Sequence, residues 1–129
     1  MFRFTLAKSG SLINASLSGC EVFNCKLKKG SPASLRIIFQ PDHNVTSGRV
    51  NLCFHLNFLG ERCSGMPGNY RLLCKNINGS CPVVAGEQYE YTATAKLPNV
   101  NYNGPVKVTF KENNGNDFVC VKSTVSLGT

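Results

Sequence analysis

Apolar and polar residues alternate along most of this chain, and no sustained 3.6-residue repeat interrupts them. The clearest example runs from Arg49 to Phe58, where one face carries Val50, Leu52, Phe54, Leu56 and Phe58. Because successive side chains of a β-strand point to opposite faces, this period of two predicts a half-buried strand. The alternation therefore favours an all-β chain.

Six further segments alternate in the same way, between turns rich in Gly, Asn and Pro. They are residues 2–6, 12–17, 34–39, 88–95, 106–110 and 118–127. We expect the first two to pair with each other and the last two to form a hairpin across residues 112–116. Seven strands with a turn signal about every ten residues are typical of a two-sheet sandwich. The irregular stretch 60–86 is long enough to suggest a functional loop.

Seven cysteines would be unusual in a reducing cytosol, so they favour an oxidising compartment. Three glycosylation sequons, at Asn14, Asn44 and Asn78, agree with a secretory route. The chain begins in strand-like sequence, without the apolar segment of a signal peptide, so we expect it to be the mature part. No apolar run approaches the ~20 residues of a membrane span. We therefore expect a soluble protein, secreted or in the lysosomal lumen.

The net charge of +7 raises the question of an anionic partner. The basic residues are scattered, with one cluster at Lys26, Lys28 and Lys29, and no basic stripe is interleaved with aromatics. Nucleic-acid binding is therefore not expected. Weak attraction to anionic lipid headgroups is a secondary hypothesis.

Catalytic and metal chemistry find little support in the sequence. The spacings Cys20-x4-Cys25 and Cys74-x6-Cys81 fit structural zinc sites poorly, and neither His43 nor His55 lies beside a pair, so disulfides are favoured. Cys53 and His55 share a strand face but lack an orienting group and an oxyanion donor. The acidic residues are scattered. We expect no enzyme activity, no bound metal and no cofactor.

Several short motifs give the chain a resemblance to the ML (MD-2-related lipid-recognition) domain, in particular its Niemann–Pick type C2 branch. It is also similar to the group 2 mite allergens. The motifs are Gly19-Cys20, Cys25-Lys26-Leu27-Lys28-Lys29-Gly30, Cys74 with Cys81-Pro82, Gly86-Glu87-Gln88-Tyr89-Glu90-Tyr91, Lys96-Leu97-Pro98 and Phe118-Val119-Cys120. Their order and spacing agree over nearly the whole chain.

The resemblance implies one domain over residues 1–129, an immunoglobulin-like sandwich of about seven strands in two antiparallel sheets, with an apolar cavity between them. It also implies the disulfides Cys20–Cys25 and Cys74–Cys81. A third family disulfide would join the N-terminal strand to Cys120, but Ala7 stands at the partner position. Cys53 and Cys63 are additional to the family pattern. They could close a local bridge, which would leave one of the seven cysteines unpaired in a monomer.

Ligand contacts follow partly from the resemblance and partly from strand position. Val100 and Tyr102 match positions that flank the sterol in the family, and Met66-Pro67 takes the place of the family's Phe-Pro at the pocket entrance. Strand position adds as cavity wall Phe39, Phe54, Leu56, Phe58, Tyr91 and Phe110, although the same residues could simply fill a core.

The function that the resemblance implies is a secreted carrier of one hydrophobic ligand, without chemistry. The ligand is a long-chain fatty acid or related semiochemical, or a sterol, and flexible Met66 at the altered entrance favours an unbranched chain. We expect a monomer with transient membrane or receptor contact. The alternative is a lipid-dependent co-receptor or recognition module of innate immunity. An adhesion domain that shares the sandwich would be packed solid between its sheets.

Overall fold

Nine β-strands form two facing sheets in the computed structural model, which describes residues 2–5, 12–18 and 25–129. The strands are β1 Phe2–Thr5, β2 Leu12–Leu17, β3 Cys25–Lys28, β4 Pro32–Phe39, β5 Gly48–Leu56, β6 Gly60–Gly65, β7 Tyr89–Lys96, β8 Tyr102–Glu112 and β9 Asp117–Gly128. Two short 3-10 helices, Gly68–Arg71 and Leu73–Lys75, lie between β6 and β7. The predicted β-sandwich is confirmed.

The larger sheet has the order β1-β9-β8-β5-β6 with β3 also beside β9, and the smaller sheet has the order β2-β4-β7. The predicted hairpin of β8 and β9 is present. Two details differ from expectation. β1 pairs with β9 and β2 pairs with β4, so the first two strands belong to different sheets. β3 runs parallel to β9, so the larger sheet is mixed and not purely antiparallel.

Two of the nine strands, β3 and β6, were not predicted, because their sequences show little alternation of apolar and polar residues. β3 is only four residues long, and β6 reads Gly-Glu-Arg-Cys-Ser-Gly with no buried residue. β6 is held in place by its antiparallel register with β5, from Asn51 opposite Gly65 to Leu56 opposite Gly60. The stretch expected to be irregular from residue 60 therefore begins with an edge strand.

Aromatic side chains fill one half of the space between the sheets. Phe39, Tyr91, Phe110 and Phe118 are completely buried. The ring centroid of Phe110 lies 5.1 Å from that of Phe39 and 5.2 Å from that of Tyr91, both in edge-to-face geometry. The Tyr91 hydroxyl donates a hydrogen bond to the carbonyl of Tyr70 at 2.7 Å, which satisfies its polar atom inside the core.

An imidazole bridge closes the sandwich at this packed end. His43, in the segment between β4 and β5, contacts Asp42 through Nδ1 at 2.7 Å and Glu112 at the end of β8 through Nε2 at 2.8 Å. Hydrogen bonds to the carboxylates of Asp42 and Glu112 raise the pKa of His43 above its ordinary value of 6.5. The protonated ring therefore ties the segment between β4 and β5 to the end of β8 in the larger sheet.

The bridge makes stability depend on pH. Because the pKa of His43 is higher in the folded than in the unfolded protein, its stabilisation is complete below pH 6.5 and is lost as pH rises through the folded-state pKa. We expect the free energy of unfolding, measured with urea, to fall as pH rises above 6.5. His43→Gln should remove that part of the decrease, and the control His55→Gln should keep it. Equal pH slopes in all three proteins would contradict the bridge.

Candidate functional site

A cavity of about 390 Å³ lies between the sheets in the half that the aromatic rings leave unfilled. Along β4 the inward-facing residues change from Phe39 and Ile37 to Leu35 and Ala33. Along β7 they change from Tyr91 to Ala93 and Ala95. Since the aromatic half keeps the sheets apart, small side chains in the other half cannot fill the gap. The cavity results from this change in side-chain size along each strand.

The walls of the cavity are almost entirely apolar. The smaller sheet contributes Leu17, Ala33, Leu35, Ala93 and Ala95, and the larger sheet contributes Leu27, Leu52, Phe54, Val106, Val108, Val125 and Leu127. A cavity with this lining excludes polar solutes and suits a hydrocarbon.

The exposed residues of the lining fall in two segments, Ser64–Pro67 and Lys96–Pro98, which we call the mouth. Met66 is buried, and its amide donates to the Val50 carbonyl at 3.0 Å, which anchors the first segment. Two hydrogen bonds anchor the second segment to the turn between β3 and β4. The Gly30 amide of the turn donates to the Pro98 carbonyl at 3.2 Å, and the Leu97 amide donates to the Ser31 carbonyl at 2.8 Å. Both sides of the mouth are thus tied to the sheets.

Among the described residues, the lining of the cavity contains one charged side chain, Lys96, and two hydroxyl groups, those of Ser64 and Tyr102. The Tyr102 hydroxyl is already occupied, because it donates to the Pro105 carbonyl at 2.6 Å and accepts from the His55 amide at 3.1 Å. Its ring packs edge-to-face on Phe54, with centroids 5.4 Å apart. A Cβ at position 104 would lie only 3.1 Å from the Tyr102 hydroxyl. Glycine at this position therefore leaves room for the Tyr102 side chain.

Four of the ten predicted ligand contacts line the cavity: Phe54, Met66, Pro67 and Tyr102. Phe39, Tyr91 and Phe110 instead form the packed core, because their aromatic rings contact one another across the sandwich. Leu56, Phe58 and Val100 also lie outside the lining, with exposed fractions of 37%, 106% and 55%. β5 ends at Leu56, so Phe58 belongs to a turn and not to the predicted strand.

Sequence reasoning missed the small residues of the wall and one side of the mouth. The predicted strand 88–95 places Ala93 and Ala95 on the same face as Tyr91, whereas Ala33 lies just before the predicted strand 34–39. The small size of these three residues was the signal that marks the cavity. Lys96-Leu97-Pro98 carried the family resemblance without being assigned to the site.

The described part of the chain contains two disulfides, Cys74–Cys81 and Cys53–Cys63. The first matches the family expectation, and the second is the local bridge between β5 and β6. The predicted Cys20–Cys25 disulfide involves Cys20, which lies outside the described residues, as does Ala7. Cys120 is a free cysteine, and Thr5 of β1 lies opposite it in the register. Burial raises the pKa of the Cys120 thiol, which therefore stays protonated at neutral pH.

The three sequon asparagines are exposed. Asn44 and Asn78 use their side-chain oxygens to accept from the amides of Ala85 and Glu90, at 2.8 and 2.7 Å. Glycosylation stays a prediction. Within residues 2–5, 12–18 and 25–129, no helix has the length and apolar character needed to cross a membrane.

A protein-family model and a solved structure both resemble this chain. The family model of the ML domain matches residues 9–127. The crystal structure of a Niemann-Pick type C2 protein from Japanese carpenter ant superposes with a TM-score of 0.84 and 16% identity, over 98% of each chain.

An alkylpurine DNA glycosylase from Pseudomonas fluorescens, bound to DNA, reaches a TM-score of 0.56 at 10% identity, over 94% of this chain and 31% of that one. At these identities both likenesses concern the fold alone. No curated protein sequence matches this chain. Since the family match spans nearly all of the chain, the protein belongs to the ML-domain family of lipid-binding carriers, with the fold of a Niemann–Pick type C2 protein.

Proposed function

We propose that this protein is a secreted carrier that holds one long-chain fatty acid, or a related semiochemical, in the cavity between its sheets. The observation that carries the proposal is the apolar cavity of about 390 Å³ with its solvent-open mouth. That volume falls in the range of roughly 300–1,000 Å³ that is usual for small-molecule sites. An adhesion domain with a solid core would have no such space.

The energetics are adequate for reversible transport. Burying about 16 methylene groups at ~0.8 kcal/mol each gives roughly 13 kcal/mol as an upper bound. The loss of translational and rotational freedom on association costs about 4–15 kcal/mol. The net affinity then depends on how well the chain fits, and we expect binding in the micromolar range. We assign Phe54, Met66, Pro67 and Tyr102 as ligand contacts, with Met66 adapting to the shape of the chain.

Lys96 favours a carboxylate headgroup over a sterol hydroxyl. It lies at the mouth, where a chain inserted tail first leaves its polar end. The side chain has no ion-pair partner among the described residues, so its charge is available to a ligand. A fatty acid gains this ion pair, whereas a neutral sterol does not.

Filling the cavity should weaken fatty-acid uptake. Ala93 is buried and lines the cavity, so Ala93→Phe places a ring in the ligand's space. We expect it to weaken displacement of a fluorescent fatty-acid probe by about tenfold or more, because a ring takes up a large part of a site of this size. Thr92→Phe is the matched control, since Thr92 is exposed on the opposite face of β7. Equal binding by wild type and Ala93→Phe would refute the cavity as the site.

Removing the charge at the mouth should discriminate between ligands. Lys96→Met should weaken binding of fatty acids by about two- to fivefold, the value of an exposed ion pair of ~0.5–1 kcal/mol. Binding of the corresponding methyl esters should not change. Lys28→Met, at an exposed position outside the lining, serves as the control. An equal loss for acids and esters would show that Lys96 does not recognise the carboxylate.

We further propose transient docking on anionic membranes through the cavity end. The turn Asn57–Leu59 lies at this end, because the His55 amide before it donates to the Tyr102 hydroxyl. Phe58 is fully exposed with a φ of 69°, a conformation that costs a bulky residue about 1–3 kcal/mol. Leu59 beside it is 58% exposed. The Phe58 side chain is not buried in the protein, so packing does not offset the cost of this backbone conformation. This exposure supports a role for Phe58 in contact with lipid.

Charge supports the same orientation. Lys28, Lys29 and Lys96 lie at the cavity end, where the Lys29 ammonium donates to the Asn101 side chain at 3.2 Å. These three ammonium groups form a basic cluster at the cavity end, which attracts an anionic surface.

The chain contains no Trp, so a single introduced Trp reports its own surroundings. The emission of Phe58→Trp should shift to the blue on vesicles of phosphatidylcholine and phosphatidylserine, and less on phosphatidylcholine alone. Val84→Trp, exposed towards the packed end, is the matched control and should not shift. An unchanged Phe58→Trp spectrum would refute membrane docking, whatever the outcome of the fatty-acid assay.

Secretion and glycosylation complete the proposal. The Cys53–Cys63 and Cys74–Cys81 disulfides and the exposed sequon residues Asn14, Asn44 and Asn78 support an oxidising, secretory location, extracellular or lysosomal. We propose a monomer. A co-receptor would additionally bind a receptor ectodomain in a pull-down, which a carrier need not do.

A further inference from the structure

The Cys53–Cys63 disulfide lies among groups that also bind metals. Cys53 of β5 is directly opposite Cys63 of β6, and His55 is directly opposite Glu61. Both sulfurs and a Glu61 carboxylate oxygen lie within 4.8 Å of one another. The Cys63 sulfur is 3.8 Å from Glu61 Oε1. Because register partners and residues two apart share a face, all four side chains belong to the outer face of the larger sheet, away from the cavity.

We propose that reduction of this disulfide creates a metal site in which Cys53, Cys63 and Glu61 bind Zn²⁺. Two thiolates and a carboxylate are ligands that zinc accepts, and thiolate softness disfavours Mg²⁺ and Ca²⁺. Zn–S bonds of about 2.3 Å in tetrahedral geometry place two sulfurs roughly 3.8 Å apart. The Cα atoms of Cys53 and Cys63 are 4.0 Å apart, and rotation about the two Cα–Cβ bonds separates the sulfurs to the distance that zinc requires without moving the strands. Water completes the coordination.

The reducing step requires a dithiol reductant. One thiolate of the reductant attacks the sulfur of Cys63, which is exposed, while Cys53 is 3% exposed. The S–S bond breaks, Cys53 leaves as a thiolate, and Cys63 is held in a mixed disulfide. The second thiol of the reductant displaces Cys63 and leaves the reductant oxidised by two electrons. Zn²⁺ then binds the two thiolates and releases any protons they have taken up.

Lys107 distinguishes a metal site from a simple ion-pair network. Its ammonium group lies 2.9 Å from Glu61 Oε1 and therefore competes with a metal for that oxygen. On Zn²⁺ binding the ammonium must give up this oxygen and turn to solvent, which costs little for a flexible lysine. Removing the lysine charge should thus help the metal, whereas removing the carboxylate should hinder it.

The site would keep β6 attached to β5 after the covalent link is lost. The last two residues of β6, Ser64 and Gly65, belong to one side of the mouth, so the metal would preserve the mouth under reducing conditions. This consequence for cargo rests on the proposed function; metal binding itself does not.

Co²⁺ reports the site because thiolate ligation produces a strong near-ultraviolet charge-transfer band. Reduced wild-type protein should bind one Co²⁺ ion with this band, and Zn²⁺ should displace it. Oxidised protein should not bind, and Cys53→Ser/Cys63→Ser should lose the band. Cys74→Ser/Cys81→Ser should keep it, with circular dichroism used to verify that each reduced protein remains folded. A band that survives in the folded Cys53→Ser/Cys63→Ser variant would overturn the assignment.

Two single variants test the carboxylate in a chain that keeps all its cysteines. Glu61→Gln should weaken Co²⁺ binding by about tenfold or more, the usual effect of losing a supporting ligand. Lys107→Met should bind Co²⁺ at least as tightly as wild type. Equal weakening in both variants, or wild-type affinity in Glu61→Gln, would overturn the role of Glu61. Fatty-acid uptake by the oxidised proteins, measured in parallel, tests the carrier function separately.

Discussion

The contact of aromatic rings at one end of the sandwich is the interaction on which the rest of the structure depends. Phe39, Tyr91, Phe110 and Phe118 come from both sheets and pack edge-to-face or tilted with centroids 5.1–6.1 Å apart. They hold the sheets at a fixed separation that the alanines at the other end cannot fill. The protein thus obtains both its stability and its cavity from one asymmetry in side-chain size.

The fold was predictable because alternation marks which residues point inwards. It correctly located most of β4, β5 and β7 and the β8–β9 hairpin. It could not locate β6, since Gly-Glu-Arg-Cys-Ser-Gly has no apolar face and becomes a strand only by pairing with β5. The opposite sheets of β1 and β2 also depend on pairings with β9 and β4 that are distant in sequence.

The cavity was only partly predictable, because alternation says nothing about position along a strand. Phe39 and Ala33 both face inwards from β4, yet Phe39 meets Phe110 and Ala33 faces the cavity. Which of them lines a void depends on the size of the side chains across the sandwich. Phe54 was predicted from its strand position, and Met66, Pro67 and Tyr102 from the family resemblance; all four lie in the half where the facing residues are small.

The disulfide between β5 and β6 affects how the protein behaves in concentrated solution. β6 is the free edge of the larger sheet, and its unpaired backbone groups could recruit an edge strand from a second copy. The strand is short, carries Glu61 and Arg62, and is fixed to its neighbour by Cys53–Cys63. An edge that is charged and cannot peel away is a poor template for amyloid-like growth. The additional cysteines therefore help to keep this edge from pairing with a second copy of the chain.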